Sequence, residues 1–242
     1  MTNVKWRMFF DIVCPNSWIS FKLLRSKKFT NIVSEVDFVP VCDVMLAIIR
    51  SGERRRTRRE RNISKGENSA VGDESASEPR LLGNTEYFSK QIPAEGDYLP
   101  PIMWKETYSS ALANGSIIPA LFLCSVKQRL PEHFLRSVEV IGERIWDRRL
   151  PVCKGAHLST CAREAGLTFL EAEEIISRLS HVDSKELLRR NSEEAVLLGA
   201  SFAPLFVSSP EYSITFHNFH DFRTSLFNNR MNHSHTHIHK PK

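Results

Sequence analysis

The 242-residue chain has no apolar run approaching the roughly 18 residues that a membrane-spanning helix needs, and Lys5 and Arg7 flank no long apolar segment of the signal-peptide kind. Neither membrane insertion nor secretion is expected. The chain also lacks any C-x-x-C pair. Its five cysteines, Cys14, Cys42, Cys124, Cys153 and Cys161, are odd in number and scattered, so neither a zinc knuckle nor a disulfide framework is indicated and a reducing compartment suits them. A general basic field is missing too. The formal charge of +5 is concentrated in "ERRRTRRER" at 53–61 and in Lys240 and Lys242, and the remainder is near −1. A short basic run can be a nuclear signal or a phosphate-binding patch, but a solvated loop is the simpler reading. No aromatic residue is interleaved for base stacking, so nucleic acid is not an expected partner.

What the chain does have is 41% apolar residues, enough for a sizeable core in one large domain or two small ones. "VKWRMFFDIV" at 4–13 combines aromatic and β-branched residues and reads as a buried strand. A helix over 17–26 follows, with Trp18, Ile19, Phe21, Leu23 and Leu24 on its apolar face and Pro15 in its first turn, where a missing N–H costs nothing. "EVDFVPV" at 35–41 is a second strand. Residues 53–80 contain only Ile63 and Val71 as large aliphatics and read as a mobile Arg/Ser-rich loop.

From about 105 to 199 the pattern is helical. Phe134, Val138, Ile141 and Ile145 recur at steps of 4, 3 and 4, and Thr168 with Glu171 forms a capping-box signature. A helix over 183–199 ends with Gly199 at C′. "APLFVSS" and "YSITFHN" read as short strands and "FHDFRTSLFNN" as a final helix. Tyr108, Phe122 and Trp146 fall among helical repeats, where aromatics are usually core. His233, His235, His237 and His239 alternate near the C-terminus; such a tract can bind a metal, but a disordered tail is expected and no metal site is assigned.

The order β-α-β, helical block, α-β-β-α resembles an α/β thioredoxin-like fold with a large helical insertion. Phe9, Phe10, Asp11, Pro15, Ser17, Trp18 and Phe21 stand where the kappa-class glutathione transferases read "FYDVxSPYSWxxF". "AREAGLTFLEAEEIISRL" at 162–179 looks like that family's "A-x-x-AG" helix pair, and "EEAVLLGASFAPLFV" at 193–207 like its "A-x-x-x-G-A-F-G-x-P-x-x-V". The resemblance implies a discontinuous thioredoxin-like domain of 1–42 and 182–232, a helical insertion of 43–181, and a tail of 233–242. It further implies glutathione as co-substrate without another cofactor, an electrophilic or disulfide second substrate, a homodimer, and a mitochondrial or peroxisomal location, with the cytoplasm as alternative. The "HKPK" ending is not a peroxisomal "SKL"-type signal.

Residue by residue, the resemblance places Cys14 at the family's catalytic serine and Asn16 at its tyrosine. The family's "SGN" becomes Ser51, Gly52 and Glu53, which puts a carboxylate where an amide contacts glutathione, and Lys65 corresponds to a conserved lysine. The "GSDR" that holds the γ-glutamyl end aligns with "HNFH", bringing Asn218, Phe219 and His220 into the expected site. Ala203–Pro204 matches the family's cis bond, where the main chain of the first residue pairs with extended glutathione. "CPNS" also resembles the DsbA-like C-x-x-C with its second cysteine replaced by Ser17.

Cys14 has two readings. A free cysteine after a strand is commonly buried and inert. At a helix N-terminus it can instead be a thiolate, its pKa lowered from about 8.5 into the range of roughly 3.5 to 7.5, and on that reading it is the most acidic of the five. The functions left open are a kappa-like glutathione transferase, a monothiol DsbA-like oxidoreductase, and an inactive interaction protein whose Arg-rich loop meets an acidic partner.

Overall fold

Strand β1 (Lys5–Phe10) is buried on both faces, and the fold is organised around it. A computed structural model describes residues 5–26, 36–64, 101–209, 215–217 and 220–225. In it β1 pairs in parallel with β2 (Val36–Pro40) and antiparallel with β3 (Leu205–Ser209), which pairs antiparallel with β4 (Thr215–Phe216), giving the sheet order β2-β1-β3-β4. Side chains alternate across a strand. Trp6, Met8 and Phe10 therefore enter one core with Phe38, Phe206 and Phe222, and Phe9 enters the other with Val39, Leu46, Leu205 and Val207. Phe206 and Phe222 stack with centroids 4.4 Å apart, and Trp6 meets Phe222 edge-on at 4.8 Å. The helical segment at 220–225, which carries Phe222, is thereby fastened to the sheet.

Helix α1 (Pro15–Leu24) follows β1 with Pro15 at its start, as the sequence predicts. β1 itself is shorter than predicted. Asp11 Oδ1 accepts from the Val13 N–H at 2.9 Å, and the Cys14 N–H reaches the Asp11 carbonyl at 2.9 Å. This side-chain-mediated turn takes residues 11–13 out of the strand.

A larger correction concerns the Arg-rich loop. Helix α2 (Asp43–Ser64) runs through residues 53–64 without a break. Arginine and glutamate are good helix formers, and the first turns of α2 are anchored by buried Leu46 and half-buried Ile49 packing against Ala195 and Val196. Anchoring removes the nucleation cost, so the polar extension needs no apolar face of its own. Residues 65–80 lie outside the described residues.

Helices α3 (Pro101–Asn114), α4 (Ile117–Arg129), α5 (Pro131–Trp146), α6 (Gly155–Glu164) and α7 (Phe169–Ser177) follow. With α2 they separate β2 from α8 (Val182–Leu197). The predicted stripe Phe134, Val138, Ile141 and Ile145 is buried, and the Thr168–Glu171 capping box is formed in both directions. Gly199 has φ +95° just past α8, as a C′ glycine should. Gly142 lets α5 approach α1 closely: a Cβ there would meet the Trp18 ring at 2.1 Å. Trp146 Nε1 donates to the Ile12 carbonyl at 3.2 Å, so α5 supports the turn that carries Cys14. The predicted tail at 233–242 lies outside the described residues. No single described helix is long and apolar enough to cross a membrane.

Candidate functional site

Cys14 caps α1 in extended conformation and its carbonyl accepts the Trp18 N–H at 3.1 Å. Its side chain turns inward. The thiol donates to the Ala203 carbonyl at 3.2 Å, and the Ala203–Pro204 bond is cis. Ala203 also donates its N–H to Asp43 Oδ1 at 2.8 Å, and the Asp43 N–H in turn donates to Asp11 Oδ2 at 2.9 Å. Three hydrogen bonds thus tie together the β1–α1 turn, the start of α2 and the loop before β3. Ser116, between α3 and α4, lies against Asp11 and stands 3.1 Å from Cys42 Sγ.

The electrostatics reverse the expected acidity of Cys14. Its residue is 2% exposed, and burial first, then the charges of Asp43 and Asp11, push the thiol pKa far above the ordinary range. The helix N-terminus does not compensate, because loss of water outweighs the macrodipole at a site closed on all sides. Cys14 is therefore not the acidic thiol predicted for it. Cys42 is pushed up to about 11 by burial and Asp11, Cys161 to about 11 and Cys124 to about 12, each chiefly by burial.

Asp11 and Asp43 are themselves raised, both chiefly by burial; Asp43 is raised further by Asp11's charge, and the backbone bonds each accepts only partly offset this. Two buried carboxylates joined through one amide favour retaining a proton. Tyr108 on α3 completes the cluster. Its phenol is pushed up by burial and then by Cys14, Asp43 and Asp11. Ser17 Oγ is fully buried with no partner among the described residues, and it stands where it can hydrogen-bond a Cys14 thiolate.

Of the predicted site residues, the structure brings together Cys14, Ala203 and buried Pro204. Both main-chain groups of Ala203, expected to pair with glutathione, are instead bonded to Asp43 and Cys14 within the chain. Asn16 lies half-buried on the first turn of α1, its carbonyl accepting from Ser20 Oγ at 2.6 Å. Glu53 is exposed on α2, ten residues and hence about 15 Å along the helix from Asp43. It is not at the thiol. His220 is exposed at the start of the 220–225 segment, and Lys65, Asn218 and Phe219 lie outside the described residues. Sequence reading missed Asp43 and Ser116 altogether, and it took Tyr108 for a core aromatic of the helical block. Asp43 follows a strand as any helix-starting acid does, and nothing local signals its bond to a residue 160 positions away.

No protein-family model matches the chain. It is 20% identical to glutathione S-transferase kappa 1 of Rattus norvegicus over 205 residues, covering 83% of this chain and 79% of that protein. To the Homo sapiens protein of the same name it is 24% identical over 202 residues with the same coverage. Among solved structures it superposes on 2-hydroxychromene-2-carboxylate isomerase with TM-score 0.58, 9% identity, and 98% and 100% of the two chains covered. The chain has a DsbA-like thioredoxin fold. A candidate protein disulfide isomerase of Nitrosomonas europaea gives TM-score 0.58 at 11% identity, covering 96% of this chain and 98% of that one. A candidate DsbA oxidoreductase of Streptomyces coelicolor gives 0.55 at 13%, covering 99% and 92%. These superpositions run over nearly the full length of each chain and agree with the expected α/β thioredoxin-like fold, a mixed sheet with many helices.

Proposed function

We propose that the protein is a glutathione-dependent enzyme of kappa-transferase type in which Cys14 replaces the catalytic serine and turns the chemistry toward thiol transfer. One observation carries this reading: the Cys14 thiol, at the β1–α1 junction, faces the Ala203 carbonyl in the loop before β3. The similarity to the rat and human transferases supports glutathione as substrate.

Within this reading glutathione reaches the 203–204 loop by displacing Asp43 and Cys14 from the Ala203 main chain. The freed Cys14 thiol loses its proton to solvent, and Ser17 donates to the resulting thiolate. Attack on the glutathione sulfur of a mixed disulfide forms the Cys14–glutathione bond, breaks the substrate S–S bond and releases the other thiolate. No cysteine stands at position 17 to resolve the product, so a second glutathione must do so, freeing Cys14 and leaving as glutathione disulfide. For conjugation, Cys14 would instead donate a hydrogen bond to the glutathione thiolate as it attacks an electrophilic carbon and the leaving group departs with its electron pair. The reading extends to a homodimer, measured by sedimentation, and to a mitochondrial or peroxisomal location, measured by fractionation.

The test is glutathionylation of the full chain by glutathione disulfide, mapped by peptide mass. A mixed disulfide at Cys14 that survives Cys153→Ser and disappears in Cys14→Ser is expected. Modification confined to Cys153 would refute thiol transfer at Cys14.

A further inference from the structure

Helix α2 outruns the body that anchors it. Its last packed positions are Leu46 and Ile49, yet it continues to Ser64, and residues 51–57 are all exposed. Over 50–61 it carries seven arginines and two glutamates, with no lysine, no aromatic residue and no large aliphatic.

Helical register segregates these charges. At about 100° per residue, Arg50, Arg54, Arg58 and Arg61 share a sector of roughly 80°, and Arg55 and Arg59 extend it to half the cylinder. Glu53 and Glu60 fall on the opposite side, three before and four after Arg56, the one arginine off the basic face. Glu53 is spaced to offset Arg50 or Arg56 and Glu60 to offset Arg56, and no acid stands three or four positions from the other five arginines. The basic face is about 17 Å long at 1.5 Å per residue.

We infer that this face docks the phosphate backbone of a double-stranded nucleic acid, without reading its sequence. Guanidinium forks match phosphate oxygens in pairs, and a duplex presents one charge per about 1.7 Å of axis, dense enough to engage all six arginines along the face. An anionic membrane is disfavoured because a helix lying in the lipid interface needs an apolar face to bury, and 50–61 has none. A protein interface buries aromatic as well as arginine anchors at its centre, and this segment offers arginine alone. Single strands are held largely by stacking on aromatic rings, which the segment lacks. The inference is independent of the glutathione chemistry at Cys14.

The experiment is fluorescence anisotropy of the full chain with a labelled 20-base-pair duplex, as DNA and as RNA, across salt concentration. Six phosphate contacts predict that log K falls against log salt with a slope of about −5 for the DNA duplex. Arg54→Gln/Arg55→Gln/Arg58→Gln, which keeps good helix formers, should reduce the magnitude of that slope by about 3. Lys240→Gln/Lys242→Gln should leave it unchanged. Far-ultraviolet circular dichroism checks that the triple variant keeps its helix. Absence of binding to either duplex at low salt, or a slope that the triple variant does not alter, would overturn the inference. So would equal binding to polyglutamate, or binding to phosphatidylserine vesicles alone.

Discussion

Cys14 and Ala203, 189 positions apart, meet through a thiol-to-carbonyl hydrogen bond of 3.2 Å. The contact places the side chain at the start of α1 against the loop that precedes β3, and it also conceals the thiol. Native alkylation with iodoacetamide should therefore modify half-exposed Cys153 first. Cys14 should lag by more than about tenfold, the factor that a single pKa unit supplies. Peptide mass after timed labelling ranks the five directly, and a Cys14 that labels first would contradict the buried arrangement.

Asp43 holds the Ala203 N–H and raises the Cys14 pKa by its charge. Asp43→Asn keeps an acceptor and removes the charge, so Cys14 alkylation at pH 8 should accelerate by roughly three- to tenfold, up to about one pKa unit's worth. Asp43→Ala removes the acceptor too. It should speed labelling but cost about 1–3 kcal/mol for an orphaned buried N–H, measured as a lower unfolding midpoint. Equal labelling rates in wild type and Asp43→Asn would show that Asp43 does not govern the thiol.

The carboxyl pair has a signature in pH. Asp11 and Asp43 have folded pKa values above the unfolded value near 3.8. Above about pH 4 the unfolded chain has released protons that the folded chain still holds, so the pair's contribution to stability falls as pH rises until the folded values are passed. Asp43→Asn should therefore gain stability relative to wild type between pH 5 and pH 8. Thermal melts across that range measure it, and a constant difference would exclude the raised values.

Packing at the α1–α5 contact gives a prediction of a different kind. Gly142→Ala would place a Cβ 2.1 Å from the Trp18 ring, and overpacking of this sort costs about 1–3 kcal/mol. The melting temperature should fall by roughly 2 to 12 °C. An unchanged value would mean that the indole moves freely.

Much of this was legible in the chain, for identifiable reasons. Alternation across "VKWRMFF", the 4-3-4 spacing of Phe134 to Ile145, the Thr168–Glu171 box and Gly199 are local signals, and local hydrogen bonding and packing realise each of them. The juxtaposition of Cys14 with Ala203 was readable only through family resemblance, because no local pattern links residues so distant. The acidity of Cys14 was misread because helix-dipole reasoning uses the residue's own element, whereas burial and Asp43 come from others. The Arg-rich stretch was misread because apolar periodicity is blind to a helix propagated from an anchored first turn.

The central claim is that this chain handles glutathione at Cys14. Calorimetric titration of reduced glutathione into the full chain tests it most directly, repeated with Asp43→Asn and with Cys14→Ser. The account predicts saturable binding of one glutathione per chain, tighter in Asp43→Asn because the charge beside the thiol is gone, and retained in Cys14→Ser because serine stands at that place in the kappa-class transferases that the sequence resembles. Heat no greater than dilution for all three proteins, each shown to be folded, would contradict it.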